Sequence, residues 1–246
     1  MFKIILYLFL IGHILGDFYL QSSAMAENKD SSFKELMRHG GWYLFAMLLA
    51  VVPVFSWTMI MYAGIIALTH LGIDLVKFWL KGKNFMKGKE AATYIIDQIL
   101  HVVVIVIVSW GSYYFTSEIK YTGWIQDILD GTQIDMIAIL SWLLIVLIII
   151  QPVSITIKTV LEYYRPESNN VVDGIPNAGA LIGILERCII LALLFAQQYS
   201  AIGFVLTAKS VARYNKIAED PKFSEYYLLG TLLSTLMVIV AYFIIL

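Results

Sequence analysis

The chain has 246 residues, of which 60% are hydrophobic and 14% are charged, and its formal net charge is −1. A mean hydropathy of +0.79 excludes a soluble domain of this size and predicts a polytopic membrane protein. The near-zero net charge gives no reason to expect a nucleic-acid partner. The single cysteine, Cys188, excludes an intramolecular disulfide and a cysteine-rich metal site, and we interpret it as a small buried apolar residue.

The first half of the chain predicts four membrane spans. Residues 2–20 form an apolar segment that we interpret as a retained helix, because the apolar core of a cleaved signal peptide should not carry His13 and Asp17. Residues 21–41 are polar and predict a short helix at the membrane interface. The next three spans are expected at residues 42–57, 58–80 and 92–115.

The second half predicts up to four more spans, at residues 134–155, 179–198, 200–214 and 226–246, of which 200–214 is the shortest. The expected fold is therefore an all-α bundle of seven to eight transmembrane helices. We expect two halves, residues 1–116 with the candidate site and residues 117–246. The lysines of residues 81–89 predict a cytoplasmic loop and place both chain ends outside.

Three pairs of histidine and aspartate lie inside predicted spans. In each pair the two residues are four positions apart, which places both side chains on one face of a helix. At about 1.5 Å per residue, all three pairs fall at a similar depth near the cytoplasmic face. The pairs are His13 with Asp17, His70 with Asp74, and Asp97 with His101.

Buried imidazole and carboxylate groups from several helices indicate a metal site. We expect a divalent ion, zinc by preference, with nitrogen ligands from His13, His70 and His101. At least one of the three aspartates, Asp17, Asp74 or Asp97, should be a ligand, and a remaining one should act as the catalytic base. The surplus groups could also hold a second ion. Alternatively, each pair is a local hydrogen bond that ties helices together.

Other polar residues could extend the site. His39 is either a solvated surface residue or a fourth ligand. Gln21 and Gln98 could orient a ligand or bind a substrate carbonyl, although polarity at a helix end also explains them. Basic residues near the cytoplasmic face could bind a phosphate or carboxylate headgroup, or could simply anchor the helices. The candidate substrate-binding residues are Gln21, Gln98, Lys77, Glu186, Arg187, Lys209 and Arg213.

The segment from His13 to Gln21, the motif His70-x-x-x-Asp74 and the motif Asp97-Gln98-x-x-His101 resemble the DUF3307 family. The resemblance covers roughly the first 115 residues and implies a bacterial membrane protein without an established reaction. The second half looks like the C-terminal extension of longer family members. In its logic, though not in alignment, the site is also similar to intramembrane metal-dependent hydrolases such as the alkaline ceramidase group.

Two functions fit these features. The first is a metal-dependent hydrolase of the bacterial inner membrane, which acts on an ester, amide or phosphoester of a lipid or amphiphile from the cytoplasmic leaflet. The second is a transporter or channel whose histidines and aspartates bind a metal ion or relay protons. The lack of an inverted repeat of the motifs, and their position near one face, favour the hydrolase.

Overall fold

The computed structural model describes residues 1–82, 90–115, 119–165 and 178–246, and every regular element in these ranges is a helix. Most of the predicted basic loop (residues 83–89) and residues 166–177, which are rich in proline, asparagine and glycine, lie outside the described ranges. The chain forms two compact units, residues 1–144 and 145–246. The predicted division after residue 116 stays a prediction.

Within the described residues, six helical segments are long and apolar enough to cross a membrane. This confirms an all-helical protein of the multi-pass membrane type, whereas the count of seven or eight spans stays a prediction. The six segments are Phe2–Tyr19, Trp57–Lys81, Glu90–Phe115, Met136–Tyr164, Ala178–Phe195 and Pro221–Ile245.

Two predicted spans correspond to helices outside this set. The segment expected at residues 42–57 is part of a longer helix, α3 (Phe33–Ala50), whose first turns carry Lys34, Glu35 and Arg38. A short 3₁₀ turn that contains Pro53 follows it. The segment expected at residues 200–214 is α10 (Tyr199–Val211), whose 13 residues reach only about 20 Å, less than the thickness of a bilayer core.

The first unit is built around a bundle of α1 (Phe2–Ile14), α3, α4 (Trp57–Gly82) and α5 (Glu90–Phe115). Helix α3 packs against both α1 and α4, while α5 also packs against both of them. Glycines allow α1 to approach α3 closely, since a Cβ atom on Gly16 would lie 2.7 Å from Cδ2 of Tyr43. The shorter helices of this unit are α2 (Ser23–Asn28) and α6 (Gly123–Thr132).

In the second half, the predicted fifth span is broken at Pro152. Helix α7 (Met136–Ile150) ends there and α8 (Pro152–Leu161) begins, because proline has no N–H group to continue the helical hydrogen bonds. The second unit also contains α9 (Ala178–Phe195), α10, α11 (Tyr214–Glu219) and α12 (Pro221–Ile245), with α12 packed against α8 and α9. Cys188 on α9 is exposed, so its interpretation as a buried residue was wrong.

Candidate metal centre

Asp17 follows α1 and lies close to side chains of the other three helices of the bundle, α3, α4 and α5. After α1 the chain makes a π-helical turn (Leu15–Tyr19), in which the N–H of Leu20 donates to the carbonyl of Leu15 at 2.8 Å. Such single π turns frequently occur at functional sites, because the extra residue turns a side chain away from the regular helical face. Here the buried Asp17 carboxylate faces helices α3, α4 and α5.

The contacts of Asp17 are short and come from other helices. Its Oδ1 lies 2.9 Å from Nε2 of His70 and 3.2 Å from Nε2 of His39. Its Oδ2 accepts a hydrogen bond of 3.3 Å from the amide Nε2 of Gln98. The short polar contacts of the Asp17 carboxylate therefore connect α1 to other helices.

The three pairs found in the sequence, by contrast, are too wide for hydrogen bonds. The closest nitrogen–oxygen distances are 3.9 Å for His13 and Asp17, 3.7 Å for His70 and Asp74, and 3.6 Å for Asp97 and His101. A normal N–H···O bond has a donor–acceptor distance of 2.7–3.2 Å. The geometry therefore does not support the interpretation of each pair as a local hydrogen bond.

Asp74, Asp97 and His101 form a group of side-chain atoms that face one another without hydrogen bonds between them. Nε2 of His101 lies 3.6 Å from Oδ1 of Asp97 and 4.0 Å from Oδ1 of Asp74. All three atoms are buried, and none has a hydrogen-bond partner among the described residues. Buried polar atoms of proteins are nearly always satisfied, so three convergent unpartnered acceptors indicate a place for an ion or a water.

Two lysines hold the other oxygens of these aspartates. Nζ of Lys29 lies 3.6 Å from Oδ2 of Asp74, and Nζ of Lys77 lies 3.5 Å from Oδ2 of Asp97. Each carboxylate thus has one oxygen beside an ammonium group and its other oxygen turned towards His101. With neutral histidines, the three carboxylates Asp17, Asp74 and Asp97 and the two lysines leave a net charge of −1, which favours a cation.

Lys29 was not among the residues expected at the site. It lies on the turn between α2 and α3, is 7% exposed, and donates a 3.4 Å hydrogen bond to Oε1 of Gln21. Burial opposes its charged form, but the nearby carboxylates, led by Asp17 and Asp74, outweigh this effect and raise the pKa of Lys29. The side chain therefore stays positively charged at neutral pH.

His39 is fully buried within the centre, so the alternative of a solvated surface residue was wrong. Its Nε2 lies 3.4 Å from Oδ2 of Asp74 as well as near Asp17. The sequence does contain a signal for this position, because the buried residues of α3 recur at helical spacing: Leu36, His39, Tyr43, Met47 and Ala50.

Tyr43 is the second residue that the sequence reasoning missed. Its ring stacks on the imidazole of His70, with 3.6 Å between the centroids, and its hydroxyl lies 3.2 Å from Nδ1 of His13. On the other side of the cluster, the rings of His70 and His101 stack at 4.1 Å. Tyr43 and these stacked rings fix the orientation of the imidazoles.

Three groups of side chains in the described residues could hold a metal ion, and the ligand atoms of each group lie within 4.8 Å of one another. In the group of His13, Asp17 and His70, hydrogen bonds already occupy His13 and both oxygens of Asp17. In the group of Asp74, Asp97 and His101, Oδ1 of both aspartates and Nε2 of His101 have no hydrogen-bond partner among the described residues. The remaining group is His39, His70 and Asp74.

A groove of about 690 Å³ lies between α4 and α5, beside Asp97 of the group formed by Asp74, Asp97 and His101. Asp97 and Lys77 contribute polar groups to its wall, and most of the lining is apolar. Its size falls within the range of about 300–1,000 Å³ that is usual for small-molecule sites. Gln98, next to Asp97, donates to both Asp17 and Asp97, so it connects the two ends of the centre.

The other predicted substrate-binding residues lie in the second unit. Lys209 pairs with Glu186 at 2.6 Å, and Arg213 is exposed near the ring of Tyr227. Arg187 is 3% exposed and donates to the carbonyls of Ile149 and Ile150, at the end of α7. It also contacts the hydroxyls of Ser154 and Ser234. Substrate binding by these four residues stays a prediction.

No curated protein and no solved structure matches the chain. Residues 5–127, half of the chain, match the model of a protein family that is described as Protein of unknown function (DUF3307). The matched range contains the whole centre described above, from His13 to His101.

Proposed function

The chain belongs to the DUF3307 family, whose function is unknown, and we propose that it is an integral membrane hydrolase that depends on a divalent metal ion. Its substrate is a lipid or amphiphilic ester, amide or phosphoester, which reaches the site from the cytoplasmic leaflet of a bacterial inner membrane. The observation that carries this proposal is the convergence of three buried, unpartnered atoms, Oδ1 of Asp74, Oδ1 of Asp97 and Nε2 of His101.

Zinc is the metal that we propose. Catalytic zinc sites use three nitrogen or oxygen ligands from the protein and leave one position open for water or substrate. Two ligands of a tetrahedral zinc are about 3.3 Å apart for bond lengths of about 2.05 Å. Nε2 of His101 lies 3.6 Å from Oδ1 of Asp97 and 4.0 Å from Oδ1 of Asp74, so zinc would draw these ligands slightly closer together. Of the nitrogen ligands expected from the sequence, this set keeps His101 and leaves out His13 and His70, and it takes two aspartates, Asp74 and Asp97.

The ion would make a water more acidic and polarise the carbonyl or phosphoryl oxygen under attack. Lys29 and Lys77 keep Asp74 and Asp97 in position through the oxygens that face away from His101. Asp17 is the remaining aspartate, and we assign it the role of general base. The amide of Gln98 links it to Asp97, while Nε2 of His70 and Nε2 of His39 lie 2.9 Å and 3.2 Å from its Oδ1 and hold the carboxyl group in place.

Hydrolysis needs no co-reactant other than water. The water oxygen bonds to the carbonyl carbon or phosphorus, and the bond to the leaving oxygen or nitrogen breaks. Asp17 takes the proton of the attacking water and returns it to the leaving group. Because both half-steps involve one carboxyl group, its replacement should lower turnover without removing the metal ligands.

The test compares two identical substitutions of buried histidines, His101→Gln and His13→Gln. We expect the purified wild type to contain one zinc per chain, measured by elemental analysis. His101→Gln should lose the metal, whereas His13→Gln, which loses a hydrogen bond to Tyr43 and no proposed ligand, should keep it. Equal loss in both variants, or a wild type without metal, would contradict the proposed set.

The reaction is tested separately. Lipid esters, amides and phosphoesters are presented in vesicles to the wild type and to Asp17→Asn. Turnover that vanishes in Asp17→Asn while metal content persists supports the hydrolase. A metal-containing wild type that hydrolyses none of these substrates but conducts zinc or protons into liposomes would refute it in favour of transport.

A further inference from the structure

The groove between α4 and α5 has the character of a binding site for a lipid chain. It runs along α4 from Thr69 to Leu80, about 17 Å of helix, and along α5 from Ala92 to Val104. Both helices are long and apolar enough to cross a membrane. A ligand in this groove would therefore meet hydrocarbon-like walls along most of its length.

The charged side chains in the described lining of the groove are Asp97 and Lys77, which lie 3.5 Å apart, and Asp97 also belongs to the candidate metal centre. Asp97 lines the groove through its side chain and faces His101 with Oδ1, and Lys77 stands beside its other oxygen. The groove and the proposed metal site therefore share a carboxylate. A ligand whose apolar part lies along the walls would place its polar end at this carboxylate and the Lys77 ammonium.

We infer that this groove binds one acyl chain of a membrane phospholipid, with the glycerol ester region beside Asp97 and the phosphate near Lys77. The apolar lining excludes a largely polar occupant, and the ammonium of Lys77 complements a phosphate. The inference rests on the proposed function, because it names the substrate class of the same site. It also explains how a buried centre takes a substrate directly from the bilayer.

Gly72 offers a way to fill the groove selectively. It belongs to the groove lining, and a Cβ atom placed on it meets no atom within 4 Å. A leucine at this position would occupy ligand space without displacing the packing of α4. Gly64 is the matched control, because it lies on the same helix with equally open space but outside the groove lining.

The experiment uses the full chain, purified in detergent so that bulk lipid is removed. The probe is a phosphatidylglycerol with a photoreactive diazirine in one acyl chain, and the label is mapped by peptide mass spectrometry. In the wild type and in Gly64→Leu we expect labelling at the groove residues Ile96 and Leu100 above that at Ile107, an exposed residue of the same helix. In Gly72→Leu, labelling at Ile96 and Leu100 should fall to the level at Ile107.

Zinc content is measured in the same samples and reports whether each variant keeps its native site. Val76→Trp, also in the groove lining, serves as a second filling variant if Gly72→Leu does not fold. Unchanged labelling in the filled variants, or wild-type labelling confined to residues outside the groove, would overturn the inference. Groove labelling in a chain without zinc would uphold the lipid site and refute the metal-dependent function. Zinc in a chain without groove labelling would refute the lipid site and uphold the metal site.

Discussion

Replacement of Arg187 by methionine should destabilise the second unit by removing hydrogen bonds at the break between α7 and α8. The guanidinium is buried and donates to the carbonyls of Ile149 and Ile150, which lie three and two residues before Pro152. The last carbonyls of a helix lack donors from their own helix, so partners must come from elsewhere. Methionine has a similar length but cannot donate a hydrogen bond.

The magnitude follows from the two carbonyls. The carbonyl of Ile150 keeps the hydroxyl of Ser154 as a donor at 2.6 Å, whereas the carbonyl of Ile149 loses its bond from Arg187. A buried acceptor that loses its donor costs about 1–3 kcal/mol. Removal of a buried charge works in the opposite direction, because the guanidinium no longer has to be desolvated. The four polar partners of the guanidinium already compensate much of that desolvation cost, so we expect a net loss of about 1–3 kcal/mol.

The assay is reversible unfolding of the purified chain in mixed detergent micelles. Arg213→Met is the matched control, since it removes the same charge from an exposed position, and it should change stability by less than about 0.5 kcal/mol. For a chain of this length, a loss of 2 kcal/mol lowers the transition by at least about 4 °C. If Arg187→Met and Arg213→Met had the same unfolding transition, the assignment of Arg187 to the helix break would be refuted.

Three further outcomes concern the first unit. Gly16→Ala should lower the free energy of unfolding by about 1–3 kcal/mol, because the new methyl group would lie 2.7 Å from the Tyr43 ring. In the control Gly41→Ala the methyl group meets no atom within 4 Å, so thermal unfolding should show no destabilisation. Tyr43→Phe should lower the free energy of unfolding by about 0.5–1.5 kcal/mol, because it loses the hydrogen bond to His13. It should keep its zinc, and a loss of zinc in elemental analysis would contradict this prediction. Zinc at 100 times its dissociation constant should stabilise the wild type by about 2.7 kcal/mol and leave the stability of His101→Gln unchanged. Calorimetry with and without chelator tests this, and an equal effect on both proteins would contradict it.

The helical class and the location of most spans follow from hydropathy. Apolar runs such as the one that becomes α5 are long enough to cross a membrane by themselves, so no tertiary information is needed to find them. Helix α3 behaves differently, because Lys34, Glu35 and Arg38 lower the hydropathy of its first turns. Its burial against α1 and α4 depends on packing between helices, which a hydropathy profile does not report.

The candidate centre was predictable in its residue types. An isolated histidine or aspartate in an apolar span is costly, so three such pairs indicate that these groups meet one another. The spacing of four residues suggested that each pair acts together. Asp97 and His101 face each other at 3.6 Å in one candidate metal group, whereas the closest contacts of Asp17 are with other helices. Asp17 contacts His70 and His39 more closely than it contacts His13, because helix packing and the π turn direct it towards α3 and α4.

The sequence by itself determined the family, the apolar helices and the set of buried imidazole and carboxylate groups, since these depend on composition and local spacing. Only the tertiary structure decided which atoms face one another. Lys29 is polar and lies outside every apolar run, yet it is buried beside Asp74 because α2 and α3 fold over that carboxylate. Contacts between residues far apart in the chain, such as Asp74 with His101, arise from helix packing and leave no periodic signal in the sequence.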